Sequence, residues 1–142
     1  MLVNIIIILA LVVGVCVAFV VTRSSEFRVT RSATMKTSPE RIFPQVNDFH
    51  HWNAWSPWAK IDPETKYAFS GAKEGVSASM AWDSKNANVG AGSMTIVESV
   101  PSEKIILRLD FLKPMKATNM AEFTFKRDGD QTVVTWDMLG KK

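Results

Sequence analysis

Residues 104–138 read KIILRLDFLKPMKATNMAEFTFKRDGDQTVVTWDM, and the alternation of apolar and polar side chains in this stretch decides the fold. Ile105, Leu107, Leu109 and Phe111 alternate with Arg108 and Asp110 over Lys104–Leu112. Ala121, Phe123 and Phe125 alternate with Glu122 and Lys126 over Asn119–Lys126. A period of two sends successive side chains to opposite faces, so both segments read as strands with one buried face. Arg127-Asp128-Gly129-Asp130 has the composition of a hairpin turn, and Gln131–Met138 follows as a last strand.

The same pattern extends upstream. Gly92–Val100 is a strand stopped by Pro101, and Ser77–Asp83 sets Ala78, Met80 and Trp82 against Ser77, Ser79 and Asp83. Lys66–Ser70 is a short strand ending at Gly71. Glu26–Met35 alternates Phe27, Val29, Ala33 and Met35 with Arg28, Thr30 and Thr34, the pattern of a half-buried strand. Between these strands, Ser38-Pro39-Glu40 marks a helix start: Ser38 as N-cap, Pro39 in the first turn, Glu40 facing the positive helix end. Pro44 removes a backbone donor, so this helix is expected to be short or bent. A second short helix or turn is expected over Phe49–Trp55, ahead of Pro57. The expectation is an α+β domain: one strand, two short helices, then about six antiparallel strands in a large curved sheet.

Met1–Val21 carries no charged side chain and one polar one, Asn4. As a helix it would reach about 31 Å, the thickness of a bilayer's hydrocarbon core. It lacks the basic start and small-residue cleavage site of a secretory signal, and Val15 before Cys16 does not suit a lipoprotein signal. The reading is an uncleaved single-pass transmembrane anchor over residues 1–22, contacting the membrane through residues 2–21, followed by one domain over residues 23–142. Arg23, Arg28, Arg31 and Lys36 follow the span and place that domain on the cytoplasmic side. The net charge is +3, with 17 basic residues dispersed among 14 acids, which argues against nucleic acid as a partner. The lone Cys16 excludes an internal disulfide and a cysteine-based zinc site.

Catalytic chemistry finds few candidates. His50 and His51 are adjacent in a polar, turn-prone stretch and read as surface side chains, with no third ligand to complete a metal site. Gly90-Ala91-Gly92 lacks the third glycine and the following helix of a dinucleotide site, and no cofactor is implied. Glu98 shares strand parity with Met94 and Ile96 and is the one acid whose parity points inward. Desolvated there, it would have a raised pKa and could serve as an acid or base; a strand end at the solvent rim is the simpler alternative. Trp52, Trp55 and Trp58 recur every third residue and read as packing under a turn, with base stacking or placement at a headgroup region as competitors. Met80, Trp82, Met94, Ile96, Phe111, Phe123, Phe125, Trp136 and Met138 converge on one sheet face, as a filled core or as the wall of a cavity for an apolar ligand. Two short helices are too little to cover such a face. The chain stops directly after the last strand, so the missing layer is expected from a truncated segment, a downstream domain or another chain.

Several pieces together resemble the START/polyketide cyclase superfamily (SRPBCC), the helix-grip fold shared with the birch pollen allergen. They are Ser38-Pro39-Glu40-Arg41-Ile42-Phe43, Val46-Asn47-Asp48, Trp52-Asn53-Ala54-Trp55-Ser56-Pro57-Trp58, Asp62-Pro63, Gly90-Ala91-Gly92-Ser93-Met94, Leu109-Asp110-Phe111-Leu112-Lys113-Pro114 and Thr132-Val133-Val134-Thr135-Trp136. The resemblance implies a seven-stranded antiparallel sheet wrapped around a long C-terminal helix, which would follow Lys142 and is missing here, with a cavity between the two. It favours the cavity over the filled core. The expected function is membrane-anchored binding of a hydrophobic small molecule, such as a lipid, an isoprenoid or a polyketide-like compound. A sensor or interaction module docking another domain on the open sheet face is the alternative. A cyclase- or dehydratase-like enzyme using Glu98, or a group beyond Lys142, is a third.

Overall fold

The structure, a computed structural model, describes residues 11–19, 21 and 25–141. Its strands are β1 (Glu26–Met35), β2 (Lys66–Ser70), β3 (Ser79–Asp83), β4 (Ala91–Val100), β5 (Lys104–Lys113), β6 (Ala117–Asp128) and β7 (Gln131–Lys141). They form one antiparallel sheet in the order β1-β7-β6-β5-β4-β3-β2. From β2 to β7 each strand pairs with its sequence neighbour, the arrangement that short hairpins dictate. Strand β1 joins the far edge, beside β7, and the chain returns from it to β2 through helix α1 (Pro39–Asn47), a 3₁₀ helix (Phe49–Ala54) and helix α2 (Pro57–Ile61).

Register decides which side chains share a face. Met80 pairs with Met94, Met94 with Leu109, Ile105 with Phe123, and Phe123 with Trp136, so these side chains stand together on the inner face. Strand β4 carries a bulge. Ile96 still pairs with Leu107, but Glu98 pairs with Ile106, so one extra residue, Val97, is inserted. The insertion shifts parity by one and moves Glu98 to the outer face. The parity that points Glu98 inward assumes an unbroken strand, and the bulge overturns it.

Helix α1 starts with Ser38 in an extended N-cap backbone conformation and Pro39 in the first turn, and runs nine residues with Pro44 inside it. Ile42, Phe43 and Val46 form its buried stripe, and the Phe43 ring meets Phe125 edge-on at 5.5 Å. This packing, with Phe49, Ile96, Ile105 and Leu107, closes the core over part of the inner face. The Asp48 carboxylate accepts from the His50 backbone N–H at 2.9 Å and caps the 3₁₀ helix.

Some elements differ from the sequence expectation. Helix α2 is additional: its five residues are too few to show a helical period. Strand β3 begins at Ser79, because Ser77 takes a positive φ of 75° and belongs to the preceding turn. In β1, Phe27 and Val29 are partly covered, while Ala33 and Met35 are exposed on what is an edge strand of the sheet. Residues 11–19 are helical and exposed, and among the described residues no helix is long and apolar enough to cross a membrane. The expected anchor takes in residues 1–10, 20 and 22, which lie outside the described residues, and the expected C-terminal helix falls after Lys142, also outside them.

One end of the sheet collects several chain segments. Glu26 pairs with Lys141, Phe111 with Ala117, Ala91 with Lys113 and with Asp83, and Asp83 with Lys66. The start of β1, the α2–β2 loop, the β3–β4 loop, the β5–β6 loop and the end of β7 therefore lie side by side.

Candidate functional site: an apolar cavity on the inner face

Beyond the part of the inner face that α1 covers lies a cavity of about 400 Å³. Its floor is sheet: Met80 and Trp82 of β3, Met94 of β4, Leu107, Leu109 and Phe111 of β5, Ala121 and Phe123 of β6, Trp136 and Met138 of β7. Its opposite wall is Trp52 and Trp55 with Ser56, Pro57 and Trp58. Tyr67, the β3–β4 loop at Ala87–Val89, Lys113 and Pro114 complete the rim. All five tryptophans of the chain line this one space.

The rings are held by hydrogen bonds and by each other. Trp52 Nε1 donates to Val46 O at 2.9 Å and Trp55 Nε1 to Gln45 O at 2.9 Å, so both indoles are tied to the end of α1. The two rings lie against each other at 4.7 Å, tilted by 46°, and both meet Phe123 edge-on, at 6.0 and 6.4 Å. Across the cavity Trp82 Nε1 donates to Val89 O at 3.2 Å, and its ring meets Phe111 edge-on at 5.8 Å. Rings satisfied in this way present faces and edges to the interior, and such walls suit an apolar occupant. The indole N–H groups of Trp58 and Trp136 have no acceptor among the described residues.

Few lining groups are polar: Asn53, Ser56, Asn88, Tyr67 and Lys113. Lys113 Nζ stands 3.9 Å from Asp83 Oδ1. No carboxylate, imidazole or thiol lines the cavity among the described residues. Beside it, on the inner face of β6, Asn119 is buried opposite its partner Leu109 and close to Gly140, and its Oδ1 finds no hydrogen-bond donor. Its Nδ2 donates weakly to Met138 Sδ at 3.8 Å.

The expected wall residues divide into two groups. Met80, Trp82, Met94, Phe111, Phe123, Trp136 and Met138 come together on the cavity. Ile96 and Phe125 do not; Ile96 is 1% exposed in the sealed core, and Phe125 packs under α1. Glu98 lies on the outer face and is paired with Lys104 Nζ at 2.6 Å. The hydrogen bond and charge of Glu98 raise the Lys104 pKa against some desolvation. Trp52, Trp55, Trp58, Tyr67, Leu107, Leu109 and Ala121 are wall residues beyond the expected set. The every-third spacing of the first three was the signal that could have found them.

The histidines lie apart from this cavity. His50 Nδ1 is 2.7 Å from Asp48 Oδ1, and its ring stacks on Phe69 at 4.1 Å. Burial works to raise the Asp48 pKa, but the backbone and side-chain hydrogen bonds from His50 outweigh it and leave the carboxyl below its usual range. His50, Phe69 and Lys73 border a shallower pocket of about 230 Å³ on the other side of the 3₁₀ helix. Among the described residues no cluster of three metal-ligating side chains occurs.

A seven-stranded curved antiparallel sheet whose inner face carries an apolar cavity beneath short helices fits the helix-grip class. The family described as polyketide cyclase / dehydrase and lipid transport matches residues 26–140, and the chain belongs to that family, within the START/polyketide cyclase superfamily. Solved structures agree in fold. The Mll3558 protein from Rhizobium loti is similar at 17% identity and a TM-score of 0.62, covering 81% of this chain and 78% of its own. Protein MLL2253 from Mesorhizobium loti is similar at 13% identity and a TM-score of 0.62, with 82% and 78% covered. The major latex-like protein 151 from Panax ginseng is similar at 12% identity and a TM-score of 0.58, with 82% and 80% covered. No curated protein matches the chain.

Proposed function

We propose that the protein binds a hydrophobic small molecule, a lipid, an isoprenoid or a polyketide-like compound, in the inner-face cavity, and that the apolar segment Met1–Val21 tethers it to a membrane. The observation that carries this reading is the space of about 400 Å³, walled mainly by apolar side chains and by three indoles, Trp52, Trp55 and Trp82, whose N–H groups are hydrogen-bonded. Binding there scales with apolar surface removed from water, at about 25 cal/mol per Å², so shape rather than charge selects the occupant. The family's description, which names lipid transport, supports the same reading. Glu98 takes no part in it, being on the other face of the sheet.

Native mass spectrometry of the full chain, purified without added lipid, tests the reading. It should show a small-molecule adduct, and Leu109→Trp, which fills the cavity from its floor, should remove the adduct and weaken binding of a naphthalene-sulfonate dye at least about tenfold. Leu109→Met, which preserves volume, should keep both. A bare protein mass, together with dye binding that Leu109→Trp leaves unchanged, would overturn the proposal.

A further inference from the structure

The cavity reaches the end of the sheet that carries α2 and the β3–β4 and β5–β6 loops, since Trp58, Asn88 and Pro114 line it, and a mouth at this end would open between them. Around it stand large apolar side chains in water: Met115 is 77% exposed, Leu112 57%, Ile61 48% and Trp58 45%. The segments bearing these side chains, with the adjoining β3–β4 loop, contribute Lys60, Lys85, Lys113 and Lys116 and no acidic residue of their own. The acids at this end are Glu26, Asp62, Glu64 and Asp83; Asp83 faces Lys113, and the Asp62 carboxylate accepts from the Ser84 hydroxyl and from the Glu64 N–H. The apolar segment Met1–Val21 also joins the domain here, because Glu26 opens β1 at this end.

The opposite end is different. Val76, Val97 and Met35 are exposed there, but its turns carry acids and bases together: Glu40, Glu74, Glu103, Asp128 and Asp130 beside Lys36, Lys73, Lys104 and Arg127, with Glu40 paired to Arg127. No group of loops there is basic without acids, so an anionic surface has less to attract it than at the first end.

We propose that the cavity-mouth end of the domain docks on a bilayer carrying anionic headgroups. Met115, Leu112, Trp58 and Ile61 enter the boundary between headgroups and acyl chains, and the lysines pair with lipid phosphates. Apolar burial and charge attraction then act on the same surface, and each is needed because neither alone holds a small patch at a membrane. The mouth faces the bilayer, so an apolar ligand moves between the two without crossing water. The inference extends the ligand-binding reading, but docking requires no bound ligand.

The test uses the full chain with Cys16→Ser, carrying an environment-sensitive fluorophore on Met115→Cys or, at the opposite end, on Asp130→Cys. Both positions are exposed, so labelling leaves the core intact. On vesicles of phosphatidylcholine and phosphatidylserine containing a nitroxide-labelled lipid, the label at position 115 should be quenched at least about threefold more than that at position 130. Lys113→Glu with Lys116→Glu, or pure phosphatidylcholine vesicles, should reduce the difference by more than half. Equal quenching at both positions, a difference insensitive to charge, or a chain that does not float with vesicles would each overturn the proposal. Adding Leu109→Trp separates the two readings: it should abolish the ligand adduct and leave the quenching pattern unchanged.

Discussion

The indole of Trp82 lies across its strand partner Gly92 so closely that a β-carbon on Gly92 would stand 2.8 Å from Trp82 Cζ2 and 2.6 Å from Asp110 O. The missing side chain is therefore what lets Trp82 lie flat as a cavity wall. Gly92→Ala forces the ring or the backbone of β5 aside, an overpacking cost of about 1–3 kcal/mol. Urea denaturation of the two proteins should show a lower midpoint for the variant, with its slope unchanged. An equal midpoint would mean that the ring moves freely and is not fixed against Gly92.

Asn119 carries a buried amide oxygen with no donor, beneath the Phe27 ring that covers Gly140. Desolvating an unpaired carbonyl costs stability, and an apolar side chain of similar shape removes that cost. Asn119→Leu should therefore stabilise the fold by about 1 kcal/mol, read as a raised denaturation midpoint. A lowered midpoint would show that the amide is satisfied in solution.

Asp137 projects from the outer face of β7 between two side chains of β1, accepting from Arg28 Nη2 at 2.7 Å and from the Thr30 hydroxyl. The hydrogen bond from Arg28, then that from Thr30, holds its carboxyl below the usual carboxylate range; some desolvation opposes this and the Arg28 charge adds to it. A depressed folded pKa means that the unfolded chain takes up the proton first as pH falls. The stability from this contact is complete above the unfolded value of about 3.9 and is lost as pH drops from there through the folded pKa. Comparing wild type with Asp137→Asn by denaturation across acid pH should show a gap widest near neutrality that closes as the solution is acidified. A gap independent of pH would exclude this linkage.

The strands were legible because their chemistry is local. Alternation at Ile105–Phe111 and Ala121–Phe125 states a face directly, and Arg127-Asp128-Gly129-Asp130 states a turn, which the structure closes with Gly129 at a φ of 60°. Parity says which face a residue takes, but not what lies above it. Ile96 and Phe125 share the face of Met94 and Phe123, yet α1 seals them in, a tertiary fact absent from strand periodicity. Glu98 escaped for a different reason: a bulge adds one residue without changing composition, and Val97 gives no sign of it in the sequence. The every-third spacing of the tryptophans at 52, 55 and 58 reads as packing under a turn. Trp52 does pack, at 7% exposure, and it also forms part of the cavity wall, a role that spacing alone does not state.

The concentration of all five tryptophans on one cavity makes the chain its own optical reporter. No indole lies elsewhere to add a constant background to the emission. An occupant that excludes water from these rings should shift the whole spectrum to the blue, and one with a conjugated chromophore should quench it by energy transfer. Ligands can thus be screened by titration against the unlabelled protein.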